Sequence, residues 1–162
     1  FLIGTFMALW VILYGGVQTL APRILRAKTR SKGALVRAAQ GWAWALAVIP
    51  TALAAAALGA QGATDWLTAT LVVGLLLFGA VFAINSALHS YLILSFTRAD
   101  RVTMDVGFYY MANASGRLLG TLLSGLTYQV GGLPLMLGVA AVLVAVAALA
   151  AGRLDSGRPQ SV

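Results

Sequence analysis

The chain has 162 residues, of which 60% are hydrophobic and only 9% are charged, and its net charge is +7 at pH 7. Soluble domains carry about a quarter of their residues as charged side chains, so a water-facing globular domain is excluded and a bilayer protein is predicted. The absence of cysteine excludes disulfides, thiolate metal sites and a cysteine nucleophile.

Apolar segments follow one another along the chain, and each is close to the roughly 20 residues that a helix needs to cross hydrocarbon. Their apolar residues run continuously instead of alternating, which favours helices over barrel strands. We therefore predict an all-α integral membrane bundle over 1–152 with a tail over 153–162. The five predicted spans are 1–21, 41–61, 68–95, 107–129 and 133–152. The chain starts without Met or a basic leader, so we expect it to begin inside a larger membrane protein.

The charges of the connectors predict the orientation. The connector 23–40 holds only basic charges, whereas the connector 61–67 holds only Asp65 and the one around 131–134 holds none. The six bases of the first connector are Arg23, Arg26, Lys28, Arg30, Lys32 and Arg37. Because basic connectors stay in the cytoplasm, we expect loop 23–40 and the tail to be cytoplasmic, in a cell membrane. The positive charge is thereby assigned to topology and not to nucleic acid.

Two smaller predictions concern helix geometry. Asp105 precedes the fourth span and is expected to cap its free amides. Pro50 lies midway along the second span and is expected to kink it.

The fourth span carries a charge, Arg117, close to its midpoint. On a helical wheel a polar stripe lies within about 40° of this residue. The stripe comprises Tyr110, Asn113, Thr121, Ser124 and Tyr128. A row of small residues, Ala112, Gly116, Gly120 and Ser124, borders it and favours close approach of a neighbouring helix.

A charge at the bilayer centre costs about 2.5–3.5 kcal/mol on insertion scales. Arg117 therefore needs a wet cavity, an acidic partner or an anionic ligand, and none of the predicted spans contains an acidic residue. Two interpretations stay open: a structural ion pair that locks helices together, or an arginine for anion recognition or gating.

Further polar candidates lie on the third and first spans. Asn85 and His89 share a face, and His89, the only histidine, either relays protons or hydrogen-bonds a neighbouring helix. Tyr14 and Gln18 share a face with Trp10 and either line a pathway or pack. No second His or Cys is present to complete a metal site, and no paired carboxylates support enzyme catalysis. We expect no cofactor, no metal and no catalytic residue.

The helix number, the basic loop and the tail resemble the C-terminal part of a major facilitator superfamily transporter. The segments YGGVQTLAPRILRAKTR (14–30) and MDVGFYYMANASGRLLGTLLSGLTYQVGGL (104–133) are similar to the organoarsenical efflux permeases of bacterial arsenic-resistance operons, the ArsJ type. The loop departs from the usual superfamily pattern because Asp is absent between Gly15 and Gly41. The usual pattern has a Gly, an Asp and clustered bases after this span, and it acts in gating. We therefore do not assign that gating role to loop 23–40.

The resemblance implies export of 1-arseno-3-phosphoglycerate, which glyceraldehyde-3-phosphate dehydrogenase makes from arsenate. It also implies a missing N-terminal half that supplies the other wall of the cavity. On this hypothesis Arg117 contacts the anion, with Asn113 and Tyr110 as hydrogen-bond partners. The alternatives are a facilitator-type exporter of another drug or metabolite and a structural membrane subunit without transport.

Overall fold

A computed structural model describes residues 1–25, 31–60, 62–97 and 101–153. Four helices contain almost all of them: α1 (Leu2–Leu25), α2 (Lys32–Gly59), α3 (Asp65–Phe96) and α4 (Val102–Gly152). There is no strand within these ranges. All four helices are long and apolar enough to cross a membrane. The prediction of an all-helical chain with membrane-spanning helices is confirmed at this level.

The helix ends differ from the predicted spans because capping residues, and not hydropathy, set them. The Ser31 hydroxyl accepts a hydrogen bond from the amide of Ala34 at 3.3 Å, so α2 begins at Lys32 and not near residue 41. The predicted loop 23–40 is therefore helical at both ends, up to Leu25 and from Lys32 onward, while 26–30 lie outside the described residues.

The capping prediction for Asp105 is wrong. α4 begins at Val102, after Arg101, and Arg101 gives no side-chain cap. Asp105 instead lies inside the first turn, where a carboxylate is favoured by the positive end of the helix dipole.

α2 continues as one helix through Pro50, and the Thr51 hydroxyl next to it donates a hydrogen bond to the carbonyl of Ala47 at 2.8 Å.

Two glycines interrupt α4. Gly131 has φ −140° and ψ 19°, and Gly132 has φ 63° and ψ −159°. The backbone conformation of Gly132 is essentially restricted to glycine, because a Cβ would clash there. Pro134 follows two residues later and suits the first turn of a helix, where no amide hydrogen is needed. The uncharged connector predicted around 131–134 coincides with this break.

Contacts at both ends of α4 show that the chain reverses at the break. Near the start of α4, Tyr109 lines a groove together with Ser90 of α3, whereas Gly152 at the end of α4 lies against the Gln40 side chain of α2. Both contacts are at one end of the molecule, which we call the basic end. A straight helix of 51 residues would separate its ends by about 75 Å. The two halves of α4 therefore run in opposite directions.

The basic end is defined by its arginines. Among the described residues, every arginine except Arg117 lies there: Arg23, Arg37, Arg101 and Arg153. A hydrophobic cluster from three helices packs beneath them, with Ala21 and Leu25 of α1, Leu35, Val36 and Ala39 of α2, and Ile84, Leu88 and Leu92 of α3. A second cluster at the opposite end joins α2 and α3 to the second half of α4 through Leu53, Ala54, Ala57, Leu67 and Leu137.

The helices pack as a row in the order α1, α3, α2 and the second half of α4. α3 contacts both α1 and α2, and α1 runs parallel to it, since Trp10 pairs with Leu75 and Tyr14 with Phe82. The first half of α4 lines a groove with α3 near the basic end. Every residue from 110 to 126 is exposed, all around the helix.

Candidate functional site

The predicted polar stripe lies on the uncovered first half of α4. Arg117 is exposed, and its guanidinium makes no hydrogen bond or ion pair with any residue that the structure describes. The Thr121 hydroxyl donates to the backbone carbonyl of Arg117 at 2.9 Å, so its hydrogen is used within the helix. Asn113 and Tyr110 keep their side-chain donors and acceptors unpaired in the described part of the chain. The stripe thus offers a guanidinium, an amide and a phenol to something outside the helix.

No described carboxylate can neutralise Arg117 from within the helices. Asp65 and Asp105 are the acidic residues in the described ranges, and each lies in the first turn of its helix. Arg117 lies about twelve residues, or roughly 18 Å, beyond Asp105 along α4 at 1.5 Å per residue. Its counter-charge must come from elsewhere in the protein or from a ligand.

The stripe begins on the face of α4 that meets α3. Val106 and Tyr110 line one groove together with Ser90, Ile93 and Leu94 of α3. Asn113 and Arg117 follow Val106 and Tyr110 at helical spacing, so they continue the same face. Beyond this groove every residue of α4 up to 126 is exposed, so the rest of the stripe has no covering helix among the described residues.

The small-residue row on α4 has no partner in the described chain. A methyl group built on Gly116 or Gly120 would meet nothing within 4 Å. The predicted packing role of Ala112, Gly116 and Gly120 therefore needs a helix from outside the described residues, and it stays a prediction. Ser124, which belongs to both the row and the stripe, is exposed as well.

An aromatic array joins α1 to α3. Trp10 and Tyr14 stack with ring centroids 5.5 Å apart, and Tyr14 meets Phe82 at 5.8 Å. Phe82 in turn stacks on Phe78 at 6.1 Å. Trp10 and Tyr14 are therefore packed against the neighbouring helix, which is one of the two interpretations given for that face.

Trp10 also contacts the backbone of α3. Its indole Nε1 donates a hydrogen bond to the carbonyl of Leu75 at 3.0 Å. The ring lies so close to Gly79 that a Cβ there would stand 2.6 Å from Nε1. The sequence did not indicate this contact, and its only signal is a glycine within the apolar run of α3.

His89 and Asn85 lie next to this array, toward the basic end. The Nδ1 atom of His89 is 2.9 Å from the backbone carbonyl of Asn85. A carbonyl only accepts, so this bond assigns the ring proton to Nδ1 and leaves Nε2 as an acceptor in the neutral ring. The bond is within α3 and not to a neighbouring helix. The side-chain Oδ1 of Asn85 is buried and has no hydrogen-bond partner among the described residues.

The structure separates the predicted residues into two groups. α1, which carries Tyr14 and Gln18, packs parallel to α3, which carries Asn85 and His89. The stripe on α4 stands apart from α1, since α1 and α4 do not approach each other in the described chain. Gln18 is partly buried and makes no side-chain hydrogen bond within that part.

A groove between two of the helices is less suited to an anion. It has a volume of about 540 Å³ and lies between α2 and α3, lined by aliphatic side chains and by Thr70. The Thr70 hydroxyl already donates to the carbonyl of Trp66 at 2.8 Å. No basic residue lines the groove.

No family model, no curated protein and no solved structure matches this chain. Among the described residues no three His, Cys, Asp or Glu side chains are grouped as metal ligands would be.

Proposed function

We propose that the chain is the C-terminal part of a secondary transporter of the major facilitator type, which exports an organic anion. The substrate we favour is 1-arseno-3-phosphoglycerate, and its export would give arsenate resistance. The protein would be a transporter and not an enzyme.

The observation that carries this proposal is the unpaired guanidinium of Arg117 on a polar stripe. A planar guanidinium with five N–H donors matches the paired oxygens of a phosphate or arsenate group. Asn113 lies one turn before Arg117 and Tyr110 two turns before, so an amide and a phenol stand on the same face for the remaining hydroxyl and carboxylate oxygens. A multiply charged anion would supply the counter-charge that the described chain lacks.

The topology that we propose has five crossings. The reversal at Gly131 and Gly132 gives each half of α4 a length that suits one crossing, about 30 Å of hydrocarbon. The arginines at the basic end favour a cytoplasmic location for that end and for the tail. The basic end would also face the dehydrogenase that makes the anion.

A second wall is required for a closed pathway. The exposed face from 110 to 126 and the small-residue row favour a further helical bundle against α4. We propose that this bundle is the N-terminal half of the same transporter and that the anion pathway runs between the two.

Co-expression tests the proposal. The full-length protein is expressed with and without glyceraldehyde-3-phosphate dehydrogenase in an arsenate-sensitive host, and we expect resistance only when both are present. Arg117→Ala should lower transport about 10–100-fold, since a charge-assisted hydrogen bond contributes about 1.5–3 kcal/mol. Leu118→Ala, an exposed change off the stripe, is the matched control and should keep resistance.

Specific outcomes would contradict the proposal. Arg117→Ala that inserts normally and retains full resistance would remove the anion role of Arg117. Arg117→Lys separates a bidentate contact from a point charge, since retained activity indicates that the charge alone suffices. Resistance without the dehydrogenase would favour an exporter of another compound. Stripe substitutions that change assembly but no flux would favour a structural subunit.

A further inference from the structure

One face of α2 is exposed from a charged residue at the basic end to the apolar groove beside α3. Arg37, Gly41, Trp44 and Val48 follow one another at intervals of three or four residues, so they share this face. All four are exposed, and a methyl group built on Gly41 would meet nothing within 4 Å. Val48 also lines the groove of about 540 Å³ between α2 and α3. An open path on the protein surface therefore joins a guanidinium to an apolar groove.

A second arginine lies at the same end of this face. Gly152 lies against the Gln40 side chain, and Arg153 follows Gly152 directly. Since Gln40 comes three residues after Arg37, the two arginines lie near each other at the ends of two packed helices. Both are exposed. Arg37 has an interaction within the chain, but a guanidinium carries five N–H donors and can bind a further group as well.

The spacing along α2 matches the depth of one leaflet. The apolar part of α2 begins near Gly41, so Arg37 lies about 6 Å outside it at 1.5 Å per residue, at the level of lipid headgroups. Trp44 lies about 4.5 Å inside, in the interfacial region where indoles are enriched. Val48 and Ala52, which line the groove, lie about 10.5 and 16.5 Å inside. Half of the 30 Å hydrocarbon thickness is about 15 Å, so the acyl chain of a lipid whose headgroup is beside Arg37 reaches the groove.

These features fit a phospholipid with a negatively charged headgroup. Phosphate oxygens match the N–H donors of guanidinium groups, and basic pockets between transmembrane helices bind such headgroups in other membrane proteins. The groove is lined by aliphatic side chains, and the hydroxyl of Thr70 is already bonded to the Trp66 carbonyl, so it suits an acyl chain. A soluble anion would gain nothing from the groove, and the backbone of a peptide would leave polar groups unsatisfied there.

We infer that the exposed face of α2 binds one anionic phospholipid from the leaflet at the basic end. Arg37 and Arg153 hold the headgroup phosphate, the glycerol region lies beside Trp44, and one acyl chain passes Val48 into the groove. The site requires these helices to lie in a bilayer. It does not depend on the transport of an anion, so a failure of the proposed function leaves it unchanged.

Native mass spectrometry of the purified full-length protein in detergent tests this inference. The probes are phosphatidylglycerol, phosphatidylcholine with the same acyl chains, and soluble glycerol 3-phosphate. Each arginine near an anionic headgroup should contribute about fivefold in affinity. We therefore expect the wild type to bind its first phosphatidylglycerol about 25-fold more tightly than phosphatidylcholine. Glycerol 3-phosphate carries the charge without acyl chains and should not displace the lipid.

Variants test the two parts of the site separately. Arg37→Gln and Arg153→Gln should each weaken the binding of phosphatidylglycerol about fivefold and leave phosphatidylcholine unchanged. Arg23→Gln is the matched control, because it removes a charge from the same end but from α1, which does not approach α2 in the described chain. Ala52→Phe fills the groove and should weaken both lipids. Ala147→Phe, an equal change at an exposed alanine away from the groove, should weaken neither.

The comparison of probes on the wild type needs no variant. Equal affinity for phosphatidylglycerol and phosphatidylcholine would overturn the role of the arginines, and displacement by glycerol 3-phosphate would show an anion site without an acyl chain. The inference is also wrong if the double variant of Arg37 and Arg153 binds phosphatidylglycerol as the wild type does, or if Ala52→Phe has no effect. Far-UV circular dichroism checks that each variant keeps its helices.

Discussion

The contact between Trp10 and Gly79 supports a quantitative prediction about α1 and α3. In Gly79→Ala the new methyl group would stand 2.6 Å from Trp10 Nε1 and 2.8 Å from Trp10 Cε2, so the indole must move. Overpacking of this kind costs about 1–3 kcal/mol. Loss of the Nε1 bond to the Leu75 carbonyl adds about 0.6 kcal/mol, a typical value inside a membrane. Alanine has a better helix propensity than glycine, which offsets about 1 kcal/mol of this destabilisation. We expect a net destabilisation of about 0.6–2.6 kcal/mol.

Reversible unfolding of the purified protein in mixed micelles, followed by far-UV circular dichroism, measures this change. Gly74→Ala is the control. Its new Cβ would stand 2.6 Å from a methyl of Leu53, the far end of a flexible side chain that can turn away, so its cost should be smaller. The decisive comparison is made in a Trp10→Leu background, where Gly79→Ala should no longer destabilise. An unchanged cost in that background would refute the role given to the indole.

Three glycines on α4 allow further predictions, and those for Gly132 and Gly138 are opposite in sign. Gly132→Ala should destabilise the protein by about 1–3 kcal/mol because a side chain is strained at φ 63° and ψ −159°. In the same unfolding assay Gly138→Ala, which has open space around it, should be neutral or slightly stabilising, and equal effects of the two would contradict the strain argument. Gly116→Ala should reduce transport by the full-length protein if a helix packs on the small-residue row. If Gly116→Ala instead raises stability by up to about 1 kcal/mol with transport intact, the row is not an interface.

The sequence predicted the helical class and the break in α4 because both depend on local properties. Continuous apolar runs indicate helices in a bilayer, and Gly131, Gly132 and Pro134 are poor residues for the interior of a helix. The start of α2 was placed too late because hydropathy detects the apolar part of a helix. It does not detect the basic first turns that follow the Ser31 cap.

The pairing of helices could not be predicted, because a helical wheel gives the faces of one helix but not its neighbours. That Tyr14 meets Phe82, and that Trp10 reaches a backbone carbonyl 65 residues away, depends on tertiary packing. The candidate residues were found as three faces, one each on α4, α3 and α1. Their roles stay predictions, and so do the count of five crossings and the identity of the anion.

The order of the helices in the row has a consequence for biosynthesis. α1 packs on α3, and no close approach joins α1 to α2 in the described chain, although α2 follows it directly. The partner of Trp10, Leu75, is translated 65 residues later. At about 5–20 residues per second, this takes on the order of 3–13 seconds. During that interval the indole of a newly inserted α1 has no acceptor on α3, so a chaperone or insertase that shields such a helix would act in this window.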